Sequence, residues 1–112
     1  MLFKSEHIEM IRKGIKTATR RRWKIARARK GGTYAVQKRM YQLRTESPII
    51  KANSVYVQPL GEMTEEDAKK EGGYTLEEFK QRWEEINGVP FDPEEVVHVV
   101  EFDYIGEGNE VK

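Results

Sequence analysis

The spacing of hydrophobic and polar residues in the first half of the chain predicts one short helix followed by strands. Ile8 and Ile11 lie three residues apart, after Ser5, a residue type that caps helices. Gly14 follows two basic residues and is expected to end this helix after two to three turns. Alternating or β-branched positions then predict extended structure. The three predicted strands span residues 17–23, 33–43 and 49–57.

The second half of the chain contains the clearest local signals. Thr64 precedes three acidic residues and predicts a helix that runs to about Lys70. Thr75 with Glu78 forms a capping box, and it opens a second helix that ends at Gly88. That helix carries an apolar stripe in which a Trp is expected to anchor the core. The stripe consists of Leu76, Phe79, Trp83 and Ile86.

A long apolar strand closes the predicted order of elements. Residues 96–105 begin with Val96-Val97-His98-Val99-Val100, which is apolar on both faces and should therefore lie in the centre of a sheet. Residues 106–112 are expected to form a frayed tail. Strands with helices inserted between them predict an α+β fold, a small mixed β-barrel of about five strands with flanking helices. The length of 112 residues fits one domain, residues 1–112.

Charge is distributed unevenly along the chain, although the net charge is only +1. Thirteen basic residues lie between positions 12 and 44, and no acidic residue separates them. From position 62 onward there are sixteen acidic residues against five basic ones. A basic cluster of this kind is typical of a nucleic-acid footprint. The same distribution would also arise if the basic half formed ion pairs with the acidic half across the fold.

Composition excludes several classes of site. The chain has no cysteine, so neither a disulfide framework nor a cysteine zinc site can form. Its two histidines stand at unrelated positions in the sequence, and we expect His7 at the surface and His98 in the core. We therefore expect neither a metal site nor another cofactor. No apolar run is long enough for a membrane span, and the first residues do not resemble a signal peptide. These features predict a cytoplasmic protein without a membrane partner.

The stretch from Gly14 to Trp23 combines the side chains that candidate chemistry requires. Lys16 stands between a glycine and two threonines, the arrangement of a nucleophile beside its activating group. Thr19 and Arg21 share one face of the predicted strand, and neighbouring arginines should lower the pKa of Lys16. The alternative interpretation is a solvated basic turn that leads into an edge strand.

Two motifs resemble the ASCH domain family, a branch of the PUA-like superfamily. The first is Gly14-x-Lys16-Thr17-x-Thr19-x-Arg21, and the second runs from Ala68 through Glu71-Gly72-Gly73 to Phe79. The resemblance extends to about Tyr104 and implies a PUA-like β-barrel with an RNA-binding cleft beside the first motif.

The resemblance also implies a catalytic set. Some bacterial members of the family are amidohydrolases that remove the acyl group from acetylated cytidine, and their catalytic residues fall on Lys16, Thr19 and Glu71. Arg21 would then orient Glu71 or bind an anionic group of the ligand. The chain departs from those enzymes in its more basic segment 24–30 and in an extra residue within 72–74. Both changes would favour a polymer over a free nucleoside.

The sequence leaves a structural alternative open, in which Lys16 and Glu71 form an ion pair that closes the barrel and Thr19 bonds to the backbone. It also leaves two functional hypotheses open. The first is a module that binds RNA, with DNA as the alternative polymer. In this hypothesis the same cleft could also catalyse hydrolysis, which the sequence does not decide. The second is an amidohydrolase that acts on acylated cytidine. Trp23, together with Tyr34, is expected to stack bases, and arginines and lysines are expected to contact phosphates. The predicted nucleic-acid contacts are Arg20, Arg21, Arg22, Trp23, Lys24, Arg27, Arg29 and Lys30.

Overall fold

The computed structural model describes residues 1–111 and contains three α-helices and four β-strands within that range. Two short 3-10 helices, Arg44–Glu46 and Leu60–Glu62, flank the third strand. In chain order the main elements are α1 (Ser5–Arg12), β1 (Ala18–Arg21), β2 (Thr33–Ala35), β3 (Pro48–Pro59), α2 (Glu65–Gly72), α3 (Leu76–Asn87) and β4 (Val96–Glu107).

Local sequence signals explain where the helices start and stop. The Thr75 side chain accepts a hydrogen bond from Glu78 N, and the Glu78 side chain accepts one from Thr75 N, which confirms the capping box of α3. Thr64 forms an equivalent box with Asp67 at the start of α2. Helix α1 is the exception, because Lys4 occupies its N-cap position and no side chain caps it.

The four strands form one open antiparallel sheet in the order β1-β4-β3-β2. Strand β4 lies between β1 and β3, which confirms the prediction that the apolar strand is central. The register places Thr19 opposite Val100 and Tyr56 opposite Val99. Strand β1 is an edge strand with only four residues, and helix α2 lies beside it.

Both faces of the sheet are covered by apolar clusters. Along β4, Val97 and Val99 face one side, and Val100 and Phe102 face the other, as the two-residue period of a strand requires. The first side packs against α2 and α3, where Trp83 is 3% exposed and acts as the predicted core anchor. The second side packs against α1 and the first residues of the chain.

The prediction of a barrel of about five strands was wrong. Strands β1 and β2 lie at opposite edges of the sheet and do not pair with each other, so the sheet stays open. The first residues of the chain contact both edges of this sheet. Leu2 forms a single bridge with Gln37, and its carbonyl accepts a hydrogen bond of 2.6 Å from Arg21 Nη2.

The predicted strand 33–43 is also much shorter than expected. Strand β2 ends at Ala35, and a last backbone hydrogen bond of 2.8 Å joins Val36 N to Pro48 O of β3. Gln37 exchanges backbone hydrogen bonds of 2.8 and 2.9 Å with Met1 and Phe3 instead. The chain from Lys38 to Leu43 then leaves the sheet. At the other end of the chain, β4 continues to Glu107, beyond the predicted strand end, and only a turn follows in the described residues.

No helix within residues 1–111 is both long enough and apolar enough to cross a membrane. The cytoplasmic location stays a prediction.

Candidate functional site

Lys16 and Glu71 meet because a glycine turn docks onto the end of α2. Gly14 adopts a left-handed conformation with φ of 74° and redirects the chain after α1. The next strand then approaches α2, where Thr17 N donates a 2.7 Å hydrogen bond to Lys70 O. Lys16 and Glu71 are therefore neighbours, although 55 positions separate them in the sequence.

A buried ion network joins these two residues to Arg20. Lys16 Nζ donates to the Glu71 backbone carbonyl at 2.8 Å and lies 3.5 Å from Glu71 Oε1. Arg20 Nη1 donates to Glu71 Oε2 at 2.8 Å, and Arg20 Nη2 donates to Gln58 at 2.8 Å. All three charged side chains are at most 4% exposed. The Glu71 carboxylate is thus a shared partner of two buried cations, Lys16 and Arg20.

Burial is the main reason why the pKa of Lys16 is lowered. Glu71 opposes this shift, while Arg21 and Arg20 reinforce it. The sequence predicted the direction from the neighbouring arginines, but loss of water around the ammonium group contributes more.

Thr19 lines the same cleft as Lys16 and Glu71, and it is 4% exposed. Its hydroxyl oxygen accepts a 3.0 Å hydrogen bond from Arg21 Nε, and the Arg21 guanidinium lies 4.5 Å from the centre of the Phe3 ring. Arg21 was predicted to orient Glu71 or to bind an anionic group of the ligand, whereas the hydrogen bonds to that carboxylate come from Arg20 and Lys16. The hydrogen bonds found within residues 1–111 do not include one between Lys16 and Thr19.

These residues line an open cleft with a volume of about 310 Å³, which we call the lysine cleft. Its aromatic walls include Phe3, Tyr74 and Trp83. Glu71 is the one carboxylate among the described lining residues, so the lining carries a strong positive excess. Seven cationic side chains line it: Lys4, Lys16, Arg20, Arg21, Arg22, Lys38 and Arg82.

His7 belongs to this cleft, and the prediction that it lies at the surface was wrong. The side chain is buried, and its Nε2 lies 3.0 Å from the Tyr74 hydroxyl. Burial, followed by the charges of Lys16, Arg21 and Lys4, lowers the pKa of His7 to about 4. The imidazole is therefore neutral at neutral pH.

We expect His7 to make the fold less stable in mild acid. Between pH 6.5 and pH 4 the unfolded chain binds a proton at His7 that the folded chain does not, so the free energy of unfolding falls as the pH drops. Allowing for solvent screening, the loss is about 2 kcal/mol. Urea denaturation of the wild type and of His7→Gln at several pH values measures it. If the free energy of unfolding changes with pH in the same way in the wild type and in His7→Gln, this assignment is wrong.

The predicted nucleic-acid contacts divide into buried, paired and free side chains. Arg20 is committed to Glu71, and Arg22 pairs with Glu95 at 2.6 Å. Trp23 is half-buried, and its ring centre lies 5.9 Å from that of His98. We call residues 24–30 the basic loop, and its cationic side chains are exposed. They are Lys24, Arg27, Arg29 and Lys30.

Ion pairs across the two halves of the chain neutralise only part of the basic segment. Four of its thirteen cations pair with carboxylates of the acidic half, namely Arg12, Lys16, Arg20 and Arg22. The other nine form no ion pair with any carboxylate of residues 1–111. They are Lys13, Arg21, Lys24, Arg27, Arg29, Lys30, Lys38, Arg39 and Arg44.

Comparison with solved structures identifies the fold. An ASCH domain of Lactobacillus crispatus JV V101 superposes on this chain with a TM-score of 0.69 and a sequence identity of 17%. The match covers 90% of this chain and 71% of the Lactobacillus chain. The fold is that of an ASCH domain. Protein EF3133 of Enterococcus faecalis V583, from the family DUF984, superposes with a TM-score of 0.66 over 96% of this chain and 76% of its own, at 18% identity.

The ASCH resemblance inferred from the two sequence motifs is thus confirmed at the level of the fold. No family model matches the sequence, and no curated protein matches it.

Sequence reasoning missed several residues of the cleft. Lys4, Lys38 and Arg82 line it from three separate segments, and no motif connects them. The Arg20–Glu71 pair was also missed, because strand alternation placed Arg20 on the face away from Thr19. The long arginine side chain at an edge strand nevertheless reaches α2.

Proposed function

We propose that this ASCH-fold chain binds single-stranded RNA, with one unpaired base in the lysine cleft and the phosphates along the basic loop. The observation that carries the proposal is the surplus of nine cations without an ion pair among the described residues. Such a cluster carries a repulsive cost that a polyanion relieves. Exposed cations are also free to displace the counterions of a nucleic acid.

The lysine cleft has suitable walls for an unpaired base. Tyr74 is half-exposed and provides apolar surface above the buried rings of Phe3 and Trp83, and the arginine and lysine side chains at the rim of the cleft favour an anionic backbone. Its volume of about 310 Å³ lies at the lower end of the range of small-molecule sites. In this proposal Arg20 does not touch phosphate. It holds Glu71, which in turn positions Lys16.

Single charge removals at the rim of the cleft test this proposal. Lys4 and Lys38 are exposed lining residues, and neither forms an ion pair within residues 1–111. Lys4→Gln and Lys38→Gln should each weaken binding of a single-stranded RNA about fourfold at 0.15 M salt, through the loss of one phosphate contact. Fluorescence anisotropy with a labelled RNA of about eight nucleotides measures the affinity.

Lys69→Gln is the matched control, because Lys69 is exposed on α2 and does not line the cleft. Equal losses for Lys69→Gln and for the two rim variants would place the RNA elsewhere. A DNA strand of the same length, titrated in parallel, decides between the two polymers.

One observation favours a second candidate function, the hydrolysis of an acylated cytidine. A buried lysine with a lowered pKa stands beside a carboxylate, and a threonine lines the same cleft. Neutral Lys16 would take the proton of a water molecule or of Thr19 and return it to the departing amine. Glu71 accepts hydrogen bonds from two cations, so it suits the role of holding Lys16 better than that of a proton donor.

We favour RNA binding over hydrolysis because Thr19 Oγ1 accepts a hydrogen bond from Arg21 and none from Lys16. The candidate nucleophile is therefore not hydrogen-bonded to its candidate base. Turnover of acetylcytidine by the wild type, lost in Lys16→Ala and in Thr19→Ala, would establish the second candidate. A wild type that binds RNA and releases no cytidine would eliminate it.

A further inference from the structure

A second cleft lies next to the lysine cleft and shares two of its walls, Leu2 and Arg21. Its volume is about 460 Å³, and three aromatic residues line it, each from a different segment of the chain. They are Trp23 after β1, Tyr34 in β2 and Tyr41 in the loop that follows β2. We call this second cleft the aromatic groove.

The loop side of the groove exposes large apolar side chains to solvent. Tyr41 is 91% exposed and Met40 is 64% exposed, so neither contributes to the core. Tyr41 also has a φ of 65°, a left-handed conformation that is unusual for a large side chain. Conformations of this kind are concentrated at functional sites, where the surrounding structure maintains them.

Contacts within the chain hold the opposite wall of the groove in place. The Tyr34 hydroxyl accepts a 2.8 Å hydrogen bond from Arg29 N. The ring lies against the turn at Gly32, where an added Cβ would collide with the Tyr34 hydroxyl group. A wall that is already ordered loses little conformational freedom when a ligand binds.

The charges of the groove are all of one sign. Arg21 and Arg27 line it, and no carboxylate does so among the described residues. Neither arginine forms an ion pair within residues 1–111. Aromatic faces bordered by arginines that have no carboxylate partner are complementary to a nucleobase and its phosphate.

We propose that the aromatic groove binds the base of a second unpaired nucleotide on the strand whose neighbouring base occupies the lysine cleft. The strand passes Arg21, which belongs to both clefts. The rings of Trp23 and Tyr41 stack on the base, and Arg27 contacts its phosphate. This inference rests on the proposed RNA function and adds a second base site to it.

Removal of one ring tests the groove. Tyr41→Ala should weaken binding of a single-stranded RNA of about eight nucleotides roughly tenfold, through the loss of one stacking contact. Tyr41→Phe keeps the ring and should bind as the wild type does. Leu43→Ala is the matched control, because Leu43 lies in the same loop, is 60% exposed and does not line the groove. Since both side chains are exposed, neither change should affect folding.

The outcomes separate this inference from the proposed function. If the wild type binds RNA and Tyr41→Ala binds it as tightly as Leu43→Ala does, the second base site is wrong and the proposed function stands. If the wild type binds no RNA, both are wrong. Capture of the wild type, but not of Tyr41→Ala, by anionic phospholipid vesicles in place of RNA would assign the groove to a membrane surface and overturn the inference.

Discussion

Glu71→Gln is expected to lower the free energy of unfolding by about 3 to 5 kcal/mol. The substitution removes the carboxylate that faces both Lys16 and Arg20. It leaves buried Lys16 without a counter-charge, and it leaves Arg20 with only the Asp67 carboxylate, whose Oδ2 lies 3.7 Å from Arg20 Nη2. Desolvated charges without a partner are among the most destabilising features of a protein interior. Urea denaturation monitored by the fluorescence of the two tryptophans, Trp23 and Trp83, measures the loss.

Glu95→Gln provides the matched control for that experiment. Glu95 pairs with Arg22 at 2.6 Å, but this pair is partly exposed, with side-chain accessibilities of 23% and 43%. Exposed pairs contribute at most about 1 kcal/mol. If the two variants lose the same stability, the network around Glu71 does not have the role in folding that its burial implies.

The double substitution of Lys24 and Lys30 by glutamine is expected to weaken RNA binding roughly fiftyfold at 50 mM salt and roughly tenfold at 200 mM salt. Both lysines are exposed in the basic loop, and neither forms an ion pair within the described chain. The affinity falls as salt rises, and each lost phosphate contact should make the slope of log affinity against log salt less steep by about 0.7. The slope of the double variant should therefore be less steep than that of the wild type by about 1.4. Anisotropy titrations at three or more salt concentrations give the slope.

Lys13 and Lys69 supply a control with the same change of net charge. Both are exposed, and neither lines a cleft or belongs to the basic loop. Their double substitution by glutamine should leave the slope close to that of the wild type. A wild-type affinity that stays constant between about 50 and 200 mM salt would exclude phosphate contact as the basis of binding.

Much of the secondary structure could be predicted because its signals are local. The two capping boxes fix the starts of α2 and α3, and the glycines at 73 and 88 end them in left-handed conformations. The apolar run in β4 identified the central strand without knowledge of its partners. These features depend on residues within one or two helical turns or along one strand.

The errors share a different origin, since they depend on contacts between distant segments. The strand predicted at 33–43 stops early because Met1 and Phe3 pair with Gln37, and nothing between residues 33 and 43 encodes that pairing. The sheet is open where a barrel was predicted, because the edge strands β1 and β2 do not pair with each other. His7 was placed at the surface because its partner, Tyr74, lies 67 positions away.

The candidate site was predicted in part. The motifs identified Lys16, Thr19 and Glu71, and the structure brings all three to one cleft. Their roles could not be assigned from the sequence, because the roles depend on which arginine donates a hydrogen bond to which side-chain oxygen. Arg20 reaches Glu71, and Arg21 reaches Thr19.

Under the proposed function, the three contacts of Arg21 restrict the shape of nucleic acid that can bind to this surface. Thr19, the carbonyl of Leu2 and the ring of Phe3 fix the guanidinium, so it forms a rigid ridge between the two clefts. Two bases that enter on either side of such a ridge have to part from each other. A double helix keeps its bases paired and stacked, whereas a loop, a bulge or a free end can splay them apart. Discrimination between single-stranded and double-stranded nucleic acid would then follow from one immobile side chain.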